Sequence, residues 1–367
     1  MQKIITSESV AIGHPDKTCD VIADAILDET LKLDPNAQNA VECAIKDDLL
    51  LIFGEATTTA QIDYTQIAAA TLAEIGYTNP FRMLVQVSKQ SPEINTATVG
   101  KGEVAANDQG VVYGYACNET PQFMPLPIEI AHKMMKLYDD FRKTAPEFLP
   151  DAKCQVSISY NEYDESEEPD SVHTVLLSVS HTDAVTHEKI EETIRTRVID
   201  PVLTDYPKLD RKETKYIINP SGKFTIWGSY ADSGCVGRKI CVDTYGGVGR
   251  VGGGCFSSKN ATKVDRSGAY YARYVAKNVV AHKMADKCEI SVSYGIGLTE
   301  PLNIAIDTFG TARKSHHAID KYVRENFNFS PANIIKELGL NQPIYKQTAC
   351  YGHFGRDEFP WEQIKKQ

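Results

Sequence analysis

Ala40–Phe53, AVECAIKDDLLLIF, reads as two short apolar strands, Val41–Ile45 and Leu49–Phe53, joined by the polar turn Lys46-Asp47-Asp48. A helical pattern precedes them (Val21, Ile22, Ala25, Ile26), and a second helix, Ile67–Ile75, and a strand, Met83–Val87, follow. The same order returns as helix Ile128–Lys143, strands Gln155–Ser159 and Val172–Val179, and helix Glu188–Val202. It returns again as helix Ala269–Ala285, strands Glu289–Tyr294 and Asn303–Asp307, and helix Ala318–Phe327. Even the first strands echo one another: Glu42-Cys43-Ala44-Ile45, Lys153-Cys154-Gln155-Val156 and Lys287-Cys288-Glu289-Ile290. A hairpin flanked by helices cannot cover both of its own faces. Three copies therefore predict an α+β protein of three units, each sheet covered by helices on one side and by another unit or a partner subunit on the other.

A chain of 367 residues is too long for one ordinary core, which fits that division. The net charge of -10 argues against general nucleic-acid binding and for an enzyme that gathers positive charge locally. The nine cysteines show no CxxC pair, so they read as reduced thiols of a cytoplasmic protein. The amino terminus lacks an apolar signal core, and no run of the chain approaches membrane-spanning length.

Positive charge gathers in Asp232–Ser267, DSGCVGRKICVDTYGGVGRVGGGCFSSKNATKVDRS, where six cations face three carboxylates around a glycine-dense loop. A strand-like run, Ile240–Val242, opens the stretch, and a helix is predicted to begin near Ser267. Glycines let backbone amides approach an anion, and cations beside them suit a polyphosphate. Gly247–Gly252 spells GxGxxG, but no helix opens at it and no βαβ unit encloses it; Lys259 lacks the Walker A context. Gly13-His14-Pro15-Asp16-Lys17 precedes the first helix. Pro15 and Asp16 are ordinary helix-start residues, yet the cluster also lies where helix amides hold phosphate, and Asp16 offers oxygen chemistry suited to Mg²⁺. Glu42 and Glu55 lie in or beside apolar strands, either on a solvated face or aimed at a cation. Ser91–Asn107 is small and polar and reads as a lid or a plain linker.

Taken together the motifs resemble the S-adenosylmethionine synthetases (methionine adenosyltransferases). The match runs through Gly13–Lys17, Gly54-Glu55, Lys89–Pro92, Asp108–Gly110, Ile218–Gly222, Gly237–Ile240, Asp243–Gly247, Gly252–Gly254, Lys263–Ser267 and Tyr351–Arg356, in order over nearly the whole chain. The resemblance implies three similar α+β domains about a pseudo-threefold axis, with sheet faces packing in a dimer. It places them near residues 1–100, 108–226 and 227–367, the chain interleaving between them. It implies that the methionine sulfur attacks C5′ of ATP, displacing tripolyphosphate, which is then cleaved to pyrophosphate and phosphate. Such a displacement needs no protein nucleophile or base, only alignment and charge stabilisation.

By position, His14 is implied at the leaving-oxygen end, and Asp16 and Asp265 as holders of two Mg²⁺ ions. Arg238, Lys239, Lys259 and Lys263 would hold phosphate oxygens or the reacting substrates. Asp151, Lys153, Lys223, Phe224 and Cys255 correspond to ATP-binding positions, Phe224 to the residue near adenine. Glu55, Gln90, Asp108 and Asp232 match positions around methionine, Asp232 also around ATP, and Glu42 matches a K⁺ ligand. The family's site lies between two subunits, so a homodimer, commonly paired into a homotetramer, is implied, with neither nucleic acid nor membrane as partner. Several residues depart from the family's habit: Cys255 for Ala, Ser258 for Gly, Asn260-Ala261 for Asp-Pro, Val251 for His, Lys223 for Arg, Trp227 for Gly, and Ala11-Ile12 for Ser-Glu. The loop after Gln90 is shorter, which predicts tolerance of bulkier S-alkyl analogues of methionine. Two other readings are a non-catalytic nucleotide-binding regulator and a tripolyphosphate hydrolase; His14, Asp16 and Lys263 speak against the first, Glu55 and Gln90 against the second.

Overall fold

Each of the three sheets is completed by a strand from a different unit. The structure is a computed structural model that describes residues 3–91, 93, 98, 104–161 and 168–366. The first unit runs β1 (Lys3–Val10), α1 (Pro15–Leu33), β2 (Gln38–Lys46), β3 (Leu49–Thr57), α2 (Tyr64–Ile75), β4 (Arg82–Ser88). The second runs β5 (Gly110–Cys117), α3 (Leu126–Arg142), β6 (Phe148–Asn161), β7 (Glu168–His181), α4 (His187–Ile194), β8 (Lys215–Ile218). The third runs β9 (Gly234–Cys235), α5 (Ile240–Asp243), α6 (Val264–Ala281), β10 (Lys287–Tyr294), β11 (Asn303–Asp307), α7 (His316–Asn326) and α8 (Pro331–Glu337).

The sheets have the orders β4-β3-β2-β9, β1-β6-β7-β8 and β11-β10-β5. In each, the unit's own antiparallel hairpin takes an antiparallel strand from elsewhere: β2 takes β9, β6 takes β1, and β10 takes β5. Parallel edge strands, β4 on β3 and β8 on β7, close two of them. The loan is cyclic: unit one lends to two, two to three, three to one. The three units thus have a threefold order, and the α+β reading holds. One long helix per unit packs on its hairpin and on the borrowed strand together: α1 on β2 and β9, α3 on β6 and β1, α6 on β10 and β5. Three apolar cores result, one beneath each sheet.

The hairpins lie where the alternation placed them, with longer strands except at β11, which keeps its expected bounds. Three expectations change. Ile240–Val242 is the short helix α5, not a strand. Asp243 N–H donates to the Lys239 carbonyl (2.8 Å) and Thr244 N–H to that of Ile240 (3.1 Å), while Lys17 holds the Asp243 carboxylate from inside. The tertiary bond from Lys17, added to these two helical bonds, overrides the β-leaning composition of four residues. The helix expected near Ser267 starts at Val264, whose N–H, one of the first-turn donors left without a helical partner, is taken by the Asn107 side-chain oxygen (2.9 Å). The helix expected over Glu188–Val202 is interrupted: α4 passes through a π-helical stretch, Arg195–Ile199, into Asp200–Thr204. Pro201 lacks an N–H and crowds the carbonyl one turn earlier, and the wider turn accommodates it.

Most of the expected lid, Ser91–Asn107, lies outside the described residues, Gly100 and Gly102 among them. Its carboxyl end is tied down, Ala106 N–H donating to the Leu298 carbonyl (2.9 Å) and Gly297 N–H to that of Ala106 (2.8 Å). At Gly114 in β5 a Cβ would lie 2.0 Å from the carbonyl carbon of Ala272, so the borrowed strand can approach α6 only through glycine. Gly114→Ala is expected to cost about 1–3 kcal/mol, read as a lower urea midpoint; an unchanged midpoint would show that the two backbones are not in contact.

Candidate active site

The first turn of α1 is built to display charge. His14 caps it with extended backbone, its Nδ1 accepting the Asp16 N–H (3.2 Å), and Pro15 opens the helix. Asp16 then points at the third unit: Oδ1 accepts the Cys235 N–H (3.0 Å) and Oδ2 takes Lys239 Nζ (2.6 Å), with Arg238 Nε 3.5 Å from Oδ1. Lys153 on β6 stands close enough to act on His14 electrostatically. Burial, reinforced by Lys239 and Lys153, lowers the His14 pKa to about 3, so the ring is neutral. Burial works to raise the Asp16 pKa, but the bonds from Lys239 and the Cys235 amide hold it below its ordinary value. His14, Asp16, Lys153, Arg238 and Lys239 therefore form one set.

A second set surrounds the start of α6. Lys259 Nζ meets Asp265 Oδ2 at 2.6 Å, and Asp265 lies in the first helical turn. A Cβ at residue 254 would fall 2.2 Å from the Asp265 carboxyl carbon, so Gly254 lets the carboxylate lie against the loop backbone. Lys263 feels Glu55 and Asp108, and burial lowers its pKa. Burial opposes the charge of Lys259, yet Cys255, Asp265 and Glu42 raise its pKa overall. Cys255 is half-buried there, its thiol pushed up by burial.

Lys153 and Asp232 both act electrostatically on Asp151. Asp151 Oδ2 accepts the Gly228 N–H (3.0 Å) while Oδ1 is buried without a partner; Gln90 Oε1 is likewise buried and unpaired. Phe224 is pinned to the end of β7 by bonds to His181, its N–H to the ring Nε2 (3.2 Å) and its carbonyl to the backbone N–H (2.9 Å). Lys223 is not brought into either set: its side chain is 80% exposed and pairs with Asp183.

Comparison with known proteins gives the family. Profiles of S-adenosylmethionine synthetase match in series: the N-terminal domain over residues 2–97, the central domain over 103–224 and the C-terminal domain over 226–363. The chain is 45% identical to the S-adenosylmethionine synthase of Sorangium cellulosum (strain So ce56) over 98% of its own length and 87% of that protein. It is also 45% identical to the S-adenosylmethionine synthase of Treponema denticola, over 98% and 96%. The chain belongs to the S-adenosylmethionine synthetase family.

It is a methionine adenosyltransferase, making S-adenosylmethionine from ATP and methionine, in a family that uses metal ions. No helix among the described residues is long and apolar enough to cross a membrane. Metal would suit the donor set. Asp16 and Asp265 are single carboxylates each drawing a lysine, and among the described residues no group of three acidic, histidine or cysteine side chains is placed to hold a metal ion. Mg²⁺ is held by one or two carboxylates plus phosphate oxygens, so paired lone carboxylates fit it better than a closed cage would.

Sequence reasoning picked out Asp16 and missed its siblings. Asp16, Asp20, Asp24 and Asp28 recur every fourth residue on α1, and all are buried. Asp20 Oδ1 accepts the Gly237 N–H (2.9 Å), next to Arg238. Asp24 forms a two-pronged pair with Arg266 (both bonds 2.8 Å) and accepts the Ser258 N–H (3.0 Å), fixing the Lys259 loop from below. Asp28 takes the N–H groups of Tyr345 and Lys346, each at 2.9 Å. Four acids at a spacing of four inside an apolar helical pattern was the available signal.

Ser258, where the family commonly has glycine, holds a φ of 80° and is buried with its hydroxyl unpaired. Ser258→Gly is expected to stabilise the protein by about 1 kcal/mol, since a left-handed backbone costs side chains that much; a lower melting temperature would contradict this.

Burial also raises the Asp151 pKa to about 6, against the pull of the Gly228 amide and Lys153. A folded pKa above the unfolded one means that ionisation costs stability as pH rises through that window. Asp151→Asn should therefore melt higher than wild type at pH 7.5, the gap closing towards pH 4; a gap independent of pH would remove the assignment.

Proposed function

We propose that the two sets are the two halves of one S-adenosylmethionine-forming site, contributed by different subunits of a homodimer. The observation that carries this is that the second set, with its carboxylate and lysines, feels Glu42 and Glu55, which lie on an uncovered sheet face. That face, on β4-β3-β2-β9, carries Glu42 and Glu55 with Phe53, Leu51 and Leu84, which are neighbours in register; Leu84 is 58% exposed. Apolar groups on an open sheet favour cover, and a second copy supplies it. Pairs of such dimers would give a tetramer. The units we assign span residues 1–100, 108–226 and 227–367.

In this reading methionine lies by Glu55, Gln90, Asp108, Asp232 and Lys263. ATP extends from Phe224 and the unpaired Asp151 oxygen, with Lys223 and Cys255 beside it, towards Lys153. The sulfur carries no proton, so nothing has to remove one. Because His14 Nδ1 accepts the Asp16 N–H and the ring is neutral, its proton sits on Nε2. Nε2 is then a donor for the bridging oxygen that leaves C5′. Lys239, Arg238, Lys259 and Lys263 oppose the charge that grows on the departing tripolyphosphate, where fixed cations act most strongly. Two Mg²⁺, held by Asp16 and Asp265, would neutralise the phosphates, with K⁺ at Glu42. The same cations hold tripolyphosphate for its cleavage to pyrophosphate and phosphate.

Lys263→Met and Asp265→Asn are each expected to fold and to lose about 100-fold or more of the methionine-dependent phosphate release. Subunit mixing tests the sharing. Lys239→Met and Lys263→Met damage different halves, so mixed dimers regain one intact site. Random re-association of the two inactive variants should recover about a quarter of wild-type activity. No recovery from proven mixed dimers would place the whole site within one chain.

A further inference from the structure

Lys17 is fully buried one residue after Asp16, yet nothing in the reaction calls for an ammonium there. Its Nζ donates to Asp20 Oδ2 at 2.8 Å and makes a second, shorter bond to Asp243 Oδ1. Both partners bear on the phosphate-binding turn from opposite ends. Asp20 holds the Gly237 amide (2.9 Å), directly before Arg238. Asp243 closes α5, which begins immediately after Lys239, and its N–H donates to the Lys239 carbonyl (2.8 Å). The Asp243 carbonyl in turn accepts the His353 N–H (2.9 Å), so the carboxyl-terminal segment backs the same point. Cys235, before the turn, donates its amide to Asp16. Gly237, Arg238 and Lys239 are thereby strung between three attachments, all made to the first two turns of α1.

We propose that Lys17 is a positioning residue for adenosyl transfer: by clamping Asp20 and Asp243 together it sets the placement of Arg238 and Lys239 opposite His14 and Asp16. This rests on the assignment of those four residues to the departing tripolyphosphate. Lys17 is sealed from solvent and its charge is spent on the two carboxylates. Burial and the neighbouring Asp243 charge push the Asp20 pKa up to about 7, against the pull of Lys17. Its contribution to rate is geometric, since a misplacement of about 1 Å in a charge-stabilising group costs on the order of 100-fold.

The experiment separates charge balance from placement. Lys17→Met strands two buried carboxylates and should lower both the melting temperature and kcat. Adding Asp243→Asn removes one charge of each sign, and Asp20 keeps the Gly237 amide. In the double variant the melting temperature should return to within a few degrees of wild type. Its kcat should stay down about 100-fold, with KM for ATP and for methionine within about threefold. Recovery of kcat along with the melting temperature would overturn the proposal and leave Lys17 a counter-ion of the fold. If the double variant does not fold, Asp243→Asn alone decides: its amide oxygen still accepts from Lys17 but more weakly. A kcat lowered about tenfold at an unchanged melting temperature supports the clamp, and a wild-type kcat overturns it. Lys239→Met is measured in parallel. Full activity there would mean that the site assignment has failed, which is a different result from failure of the clamp.

Discussion

Four carboxylates on one stripe of a buried helix hold this molecule's chemistry in place. Asp16, Asp20, Asp24 and Asp28 face the third unit, and each takes at least one of its backbone amides: Cys235, Gly237, Ser258, and Tyr345 with Lys346. A buried carboxylate is costly unless fully engaged, and these are engaged with amides, Lys17, Lys239 and Arg266. The result is a template with the helix repeat, about 6 Å between successive rungs. Two irregular loops, which have little apolar surface to fix them, are pinned to a rigid ruler. Both loops carry lysines of the candidate site.

This explains how a glycine-dense stretch can be accurate. Gly254 lets Asp265 lie on the loop, and Asp24 grips the same loop through Ser258 and Arg266. Glycine supplies close approach, and the helix beneath supplies order. Ser258 carries the left-handed turn despite its side chain because the bond from its own amide to Asp24 holds it there.

Much of this was legible in the residues. The repeated hairpins were visible because strand alternation and helix periodicity are local signals, and the cations proposed for the site stood out because they crowd a few segments of an acidic chain. What escaped had a common cause. β1 and β9 leave their own unit to pair with another, and the two-residue β9 carries no periodicity at all. Ile240–Val242 has strand composition but takes its shape beside Asp243, which is held by Lys17, distant in sequence. The clamp residues were hidden in plain motifs, since Lys17 reads as another phosphate-seeking cation until its partners are seen. Asp20, Asp24 and Asp28 needed only their spacing noticed.

The cyclic loan of strands also sets an order in time. On the ribosome the first hairpin, β2 and β3, exists early, but its inner edge has no partner until Gly234 and Cys235 have emerged. The second sheet, by contrast, can take β1 as soon as β6 appears, because its lender comes first in the chain. The nascent amino-terminal third therefore spends most of its synthesis with an open strand edge beside exposed leucines, the kind of surface that chaperones recognise and that neighbouring nascent chains join. A stop codon anywhere before residue 234 leaves that edge permanently bare, so truncated products of this chain are not smaller proteins but sticky ones.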